Sequence, residues 1–275
     1  EVREFFHHVF TTIFKTWGFE AMKMDFWSQS VESNSIRYRN GGTGVVWRDW
    51  LLRTIESYLP EDGFLMTCVA TAHGNPFLGK YARSYRCGID VGNGEWEDHL
   101  SASSWTQPLL ATDEREMALL NIDGLGFSSK LSDEENLHRL TYGFITMGSL
   151  EVDGRFEELP DYQVEWLRRL TSHIDRGYSV KTADDQVNTG VPLPKCLYID
   201  YPKDSPTYRR GVRKHIALFN WSNSPQFIGA TAEALGLKGE IRVRDFWTDE
   251  QKAFPPAGIH ERLPARSAKL YELTR

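Results

Sequence analysis

Residues 4–16 place apolar side chains at Phe5, Phe6, Val9, Phe10, Ile13 and Phe14, the i, i+3, i+4 recurrence of a helix with one wide buried face. The run stops at Gly18. An apolar stretch from Ala21 to Phe26 follows, then a polar, glycine-bearing loop from Ser28 to Gly44 and a second helical pattern from Val46 to Tyr58, halted by Pro60. Buried strands are predicted at Gly63–Ala70, Ala82–Ile89, Met117–Ile122 and Phe144–Leu150. Helices are predicted between them at Asn75–Lys80, Trp96–Leu110 and Ser132–Thr141, the last opened by Ser132 and Glu135 in capping-box spacing. After a helix at Tyr162–Ile174 the period changes. Short apolar runs separated by Pro, Gly and Asp appear at Leu197–Tyr201, His215–Trp221, Glu240–Trp247 and Lys269–Leu273.

Apolar strands alternating with helices predict an α/β region built on a parallel sheet covered on both faces. The short runs that follow predict an antiparallel β domain. The division expected is residues 1–176 and 177–275. At 275 residues the chain has length for one to two domains, and no run of about 18 apolar residues could cross a bilayer. The net charge of −6 disfavours a phosphate backbone as partner, so neither nucleic acid nor membrane is expected. The basic run Arg209, Arg210, Arg213, Lys214 reads as a solvated strand or turn. Cys68, Cys87 and Cys196 show no CxxC spacing and there is no HExxH, so no metal or other cofactor is expected. Aromatic residues make up 13% of the chain. Their rings suit the C–H face of a sugar and fill cores as readily. No targeting signal is read, which leaves cytoplasmic, periplasmic and secreted locations all compatible, and a homo-oligomer compatible too.

In parallel α/β sheets, ligands bind at the carboxyl ends of the strands. The first strand delivers Lys23 and Asp25 there, two apart and therefore on one face. The strand ending at Ile89 delivers Arg86 and Asp90. Asn121 and Asp123, then Glu151 and Asp153, end the last two, and Cys68 ends the strand after Gly63. Two carboxylates flanking a scissile bond are what glycoside hydrolysis asks for, one ionised to attack and one protonated to donate. Lys23 favours the charged form of Asp25, whereas a cation beside Asp90 works against a protonated donor unless Arg86 faces elsewhere or burial and repulsion from Asp25 win. The same spacing also describes two buried ion pairs capping strands. There is no GxSxG, and Gly88, Gly92 and Gly94 do not form a phosphate-cradling GxGxxG.

At these residues a resemblance enters. KMDFW (Lys23 to Trp27) resembles the KxD nucleophile motif of clan D α-galactosidases, glycoside hydrolase families 27 and 36, and RCGID (Arg86 to Asp90) resembles their RxxxD acid/base motif. LLNIDGLGF and GFITMGSLEVDGRFEEL are similar to the seventh and eighth barrel strands. KHIALFNWSN, VRDFWT and LPARSAKLYEL are similar to the C-terminal β-sandwich. The resemblance implies strands four to eight of a (β/α)8 barrel followed by that sandwich. It implies Asp25 as nucleophile and Asp90 as general acid/base of a retaining reaction on terminal α-galactosyl units of an oligosaccharide, with carboxyl oxygens roughly 5–6 Å apart. Lys23 and Arg86 would hold sugar hydroxyls, and Cys68 and Asp123 would stand near the sugar. Trp27 and Trp96 would be stacking platforms or core. Discrimination at the 2-position is left open, and galactose, N-acetylgalactosamine and β-L-arabinopyranose are all compatible. Galactosyl transfer of the raffinose-synthase type, α-N-acetylgalactosaminidase action and a non-catalytic sugar-binding remnant are the alternatives. A (β/α)8 barrel takes about 250 residues, so the expectation is a C-terminal fragment carrying an open five-stranded sheet with one exposed edge beside the Asp25 strand.

Overall fold

The computed structural model describes residues 1–25, 37–38, 41–68, 80–86, 88, 90–91, 94–111, 119–125, 127–173, 175–176, 178–183 and 193–274, the side chains of 105–111 aside. The chain opens with α1 (Val2–Phe10), which runs on as a π-helical stretch over Thr11–Thr16 and is ended by Gly18 in the left-handed region (φ 73°). Then come β1 (Ala21–Met24), α2 (Gly44–Glu56), β2 (Phe64–Thr67), β3 (Ser84–Arg86), α3 (Trp96–Ala111), β4 (Leu119–Gly124), α4 (Asp133–Ile145), β5 (Ser149–Glu151) and α5 (Asp161–Ser172). The five strands form one parallel sheet in the order β1-β2-β3-β4-β5. No described helix is long and apolar enough to cross a membrane.

Strand alternation divides this sheet into two unlike faces. Met24, Leu65, Tyr85, Leu120 and Ile122 point one way and join Phe10, Phe14, Leu52, Ile55, Leu140 and Leu170 of the helices in a single apolar cluster. The other face carries Lys23, Asp25, Cys68, Arg86, Asn121 and Glu151. The expectation of helices on both faces is therefore corrected: among the described residues the helices pack on one face, and the opposite face is largely polar. Such an arrangement belongs to the wall of a barrel rather than to a doubly wound sheet. Lys23 of β1 meets Glu151 of β5 at 2.8 Å, although four strand spacings would separate them by roughly 19 Å if the sheet were flat. The sheet must curl to bring them together. Its order leaves strands at both edges, β1 and β5, where one exposed edge was expected.

Two elements fall elsewhere than the apolar runs suggest. The capping box at Ser132 and Glu135 forms as predicted, each side chain accepting the other's backbone N–H. The helix it opens runs past Thr141 to Ile145, and β5 begins only at Ser149. Phe144 and Ile145 are fully buried in the last turn of α4, with the Phe144 ring 4.8 Å from Phe246. The turn to β5 uses Met147 at φ 57° and Gly148, where an added Cβ would lie 1.8 Å from the Leu120 carbonyl oxygen. An apolar run that ends a buried helix cannot be told from a buried strand by composition. The predicted helix Asn75–Lys80 lies, but for Lys80, outside the described residues.

The remainder is antiparallel. It comprises β6 (Val180–Thr182), β7 (Cys196–Asp200), a short helix α6 (Pro206–Arg209), β8 (Val212–Phe219), β9 (Gln226–Thr231), β10 (Ile241–Asp245), β11 (Gln251–Phe254), β12 (Gly258–Leu263) and β13 (Ala268–Thr274). A six-stranded sheet, β11-β10-β13-β8-β7-β6, faces a two-stranded one, β12-β9. Alternation again sets the layers. Leu197, Ile199, Ala217 and Phe219 join the apolar cluster of the helices, whereas Cys196, Ile216 and Leu218 join Ile228, Ile259 and Leu263 between the two sheets. Lys214 is not solvated as the basic run suggested. It is buried, donates to the Leu235 carbonyl at 2.5 Å and pairs with Asp200 at 2.7 Å.

Candidate active site

Register fixes the floor of the site. Met24 is level with Thr67, Thr67 with Tyr85, and Tyr85 with Leu120. One residue further along, the ladder continues through Cys68 N–H to the Met24 carbonyl at 2.7 Å. Asp25, Cys68, Arg86, Asn121 and Ser149 thus form one row across five strands, with Arg86, Asn121 and Ser149 registered directly. The row lies on the polar face at the carboxyl ends of the strands.

Arg86 is the hub. Its guanidinium, 4% exposed, donates to Asn121 Oδ1 at 3.1 Å and Asp90 Oδ1 at 2.8 Å, and pairs with Asp123 Oδ1 at 2.5 Å. Burial opposes its charge, but Asp123 and the other partners outweigh burial and hold it above the ordinary arginine value. Asp123 also accepts the Val91 N–H at 2.6 Å, so the end of β4 pins the loop that carries Asp90. Asp123 adopts φ 77°, a conformation that costs a non-glycine residue and persists only where neighbours enforce it. The Asn121 side chain, accepting from Arg86 and from the Asp123 N–H at 3.0 Å, is that enforcement. The Asp90 side chain itself is 82% exposed.

On the other side of the row, the hydrogen bond to Glu151 raises the affinity of Lys23 for its proton against partial burial. The Cys68 thiol is buried and pushed up first by burial, with Asp25 adding through charge and a hydrogen bond while Arg86 and Lys23 oppose. Asp25 is exposed. A cavity of about 870 Å³ opens beside the site, walled by Val91, Asp123, Arg139 and Asp153 among others. It adjoins the Asp90 loop rather than enclosing Asp25.

The structure therefore gathers Lys23, Asp25, Cys68, Arg86, Asp90 and Asp123 on one surface. Lys23 and Arg86, read from the sequence as sugar ligands, direct their charge at protein carboxylates. Trp96 is 3% exposed and lies edge-on to His138 with centroids 5.0 Å apart, so it belongs to the core. Trp27 lies outside the described residues. Asn121 and Glu151 were visible as polar strand ends, but their bonds to Arg86 and Lys23 join residues 35 and 128 positions apart and leave no mark in spacing.

No family model and no curated protein sequence matches the chain. Solved structures do. A variant of a GH27 β-L-arabinopyranosidase from Geobacillus stearothermophilus, in complex with arabinose, superposes with a TM-score of 0.72 at 14% identity, covering 98% of this chain and 61% of that one. α-Galactosidase I from Mortierella vinacea gives 0.69 at 13%, covering 96% and 70%. A putative α-N-acetylgalactosaminidase from Bacillus halodurans gives 0.66 at 11%, covering 98% and 61%. The chain thus spans about three fifths of the length of the first of these. Its fold, a partial barrel followed by an antiparallel β domain, is similar to the corresponding part of these structures.

Proposed function

We propose that the chain carries the catalytic carboxylates of a retaining glycoside hydrolase of the α-galactosidase type. The observation that carries this reading is the row at the strand ends: Asp25 and the Arg86 that holds Asp90 stand at one level, on one face, two strands apart. Asp25 attacks the anomeric carbon as Asp90 protonates the glycosidic oxygen; Asp90 then takes a proton from the water that releases the sugar. The proton donor serves the leaving group, and the polar cavity beside its loop offers room for a further sugar of an oligosaccharide. Arg86, braced by Asn121 and Asp123, sets where Asp90 stands, and Lys23 with Glu151 borders the sugar on the other side. The five parallel strands then correspond to strands four to eight of the barrel, and the chain divides into residues 1–176 and 177–275.

Cleavage of p-nitrophenyl α-D-galactoside tests the proposal, with the α-N-acetylgalactosaminide and β-L-arabinopyranoside as comparisons. Release of nitrophenol from one of them, lost in Asp25→Ala, is expected. Sugar binding without release, unchanged in Asp25→Ala, would leave the non-catalytic alternative standing instead. Galactosyl transfer would appear as a new oligosaccharide product at high acceptor concentration. Retention is read from the anomer first released.

A further inference from the structure

His173 follows α5, His215 lies in β8 and Glu272 in β13, and the three side chains meet, all buried, in the layer between the helices and the six-stranded sheet. A ligand-capable atom of each lies within 4.8 Å of the others. His215 Nε2 and Glu272 Oε1 are 3.2 Å apart. Two ligands about 2.0–2.1 Å from a tetrahedral zinc ion stand roughly 3.3 Å apart, so this pair needs little movement to share one. The outer atoms of both residues are already braced. His215 Nδ1 is 2.8 Å from the Tyr201 hydroxyl, and Glu272 Oε2 accepts Arg244 Nε at 2.8 Å and Nη2 at 2.5 Å. Outer partners of this kind orient metal-binding imidazoles and carboxylates.

His173 Nε2 differs. It is buried without a hydrogen-bond partner among the described residues, in a residue 9% exposed, an arrangement that forfeits its hydration for nothing in return. His173 and Glu272 also line a cavity of about 330 Å³ shared with Thr207 and Arg210, which has room for a water.

We propose that His173, His215 and Glu272 form a zinc site that ties the end of α5 to β8 and β13, with a cavity water as fourth ligand. The set of two imidazoles and one carboxylate is one that zinc takes. Arg244 and Arg176, the latter held by the Gly143 and Gly148 carbonyls, place positive charge nearby. That charge opposes any divalent cation alike, so the choice among metals rests on the donor set: two imidazole nitrogens and one carboxylate suit zinc, whereas calcium and magnesium take oxygen-rich cages. The three residues are far apart in the chain, so no ligand motif announces them. The site is remote from Asp25 and Asp90 in its residues and independent of the glycosidase reading.

Equilibrium dialysis of the chelator-treated full chain against zinc chloride tests it. One bound equivalent is expected, with cobalt in its place giving the visible bands of a four-coordinate ion. His173→Gln should weaken binding by about tenfold or more and abolish the zinc-dependent rise in melting temperature, whereas His260→Asn, on an exposed position of β12, should change neither. If His173→Gln does not fold, Tyr201→Phe removes a brace and should weaken zinc by about 10–100-fold. Substoichiometric zinc on the parent chain, or undiminished affinity in the folded variant, overturns the proposal.

Discussion

Asp90 and Asp123 share one guanidinium, and that sharing sets what each can do. Asp123 is pinned at two oxygens, to Arg86 and to Val91 N–H, so it is a positioning residue. Asp90 bonds to Arg86 and faces solvent, which suits the proposed proton donor. Replacing Asp90 by Asn should lower kcat/KM for an oligosaccharide by about 10²–10⁴, and by much less for an aryl galactoside whose leaving group needs little protonation. Arg86→Lys keeps the charge but cannot donate in a planar fork to Asn121, Asp90 and Asp123 together. It should reduce kcat while shifting the acidic and basic limbs of the pH–rate profile, which a merely structural lesion would leave in place. Lys23 and Asp25 were legible as one pair because alternation along a strand is local, whereas Asp90 lies on the loop beyond β3 and reaches Arg86 through a side-chain contact rather than through strand alternation. The partners of Lys23 and Arg86 on other strands were not legible, since curvature of the whole sheet brings them near.

At the scale of elements, α4 does more than its amphipathic pattern indicates. Its N-terminus is capped by its own box, and Arg266 of the β domain donates to the Glu135 carboxylate of that box at 2.8 Å. Its last turn buries Phe144 and leads into Gly148, whose backbone packs on Leu120. Gly148→Ala has nowhere to put a methyl except into that carbonyl and should destabilise the protein by about 3 kcal/mol or more, read from the urea midpoint. The middle of α4 places His138 against His99 of α3, Nδ1 to Nε2 at 3.0 Å, beneath Trp221 at 4.3 Å between ring centroids. Burial drives both imidazoles down, His138 to about 3 and His99 well below its usual value, with the charge of His138 adding to the latter. Because the unfolded chain then binds these protons first, their contribution to stability is complete above about pH 6.5 and is lost progressively as pH falls towards 3. Urea midpoints should therefore drop between pH 7 and pH 4, and drop less in His138→Gln. The strands that sequence patterning missed, β6, β9, β11 and β12, are short or partly exposed, as in the alternation of exposed and half-buried positions along β11. They bury too little on either face to leave an apolar run.

For the whole molecule, the apolar cluster passes without interruption from Met24 and Leu65 of the parallel sheet through Phe144 and Leu170 of the helices to Leu197, Phe219 and Leu270 of the β domain. Trp247 Nε1 donating to Thr141 at 2.9 Å and Arg169 donating to the Phe246 carbonyl at 2.8 Å add polar ties across the same layer. A shared core of this kind predicts one calorimetric transition, with the ratio of calorimetric to van't Hoff enthalpy near one; two resolved peaks would show that the two parts unfold separately. The sequence by itself showed that alternating helices and parallel strands give way to short antiparallel strands, and that Lys23 and Asp25 share one face, because periodicity and strand alternation are properties of neighbouring residues. Only the tertiary structure decided that helices cover one face of the parallel sheet, that Lys23 answers Glu151 and Arg86 answers Asp123, and that His173, His215 and Glu272 meet. Those outcomes depend on how a curled sheet and a β-sandwich are brought together, and no spacing along the chain records that.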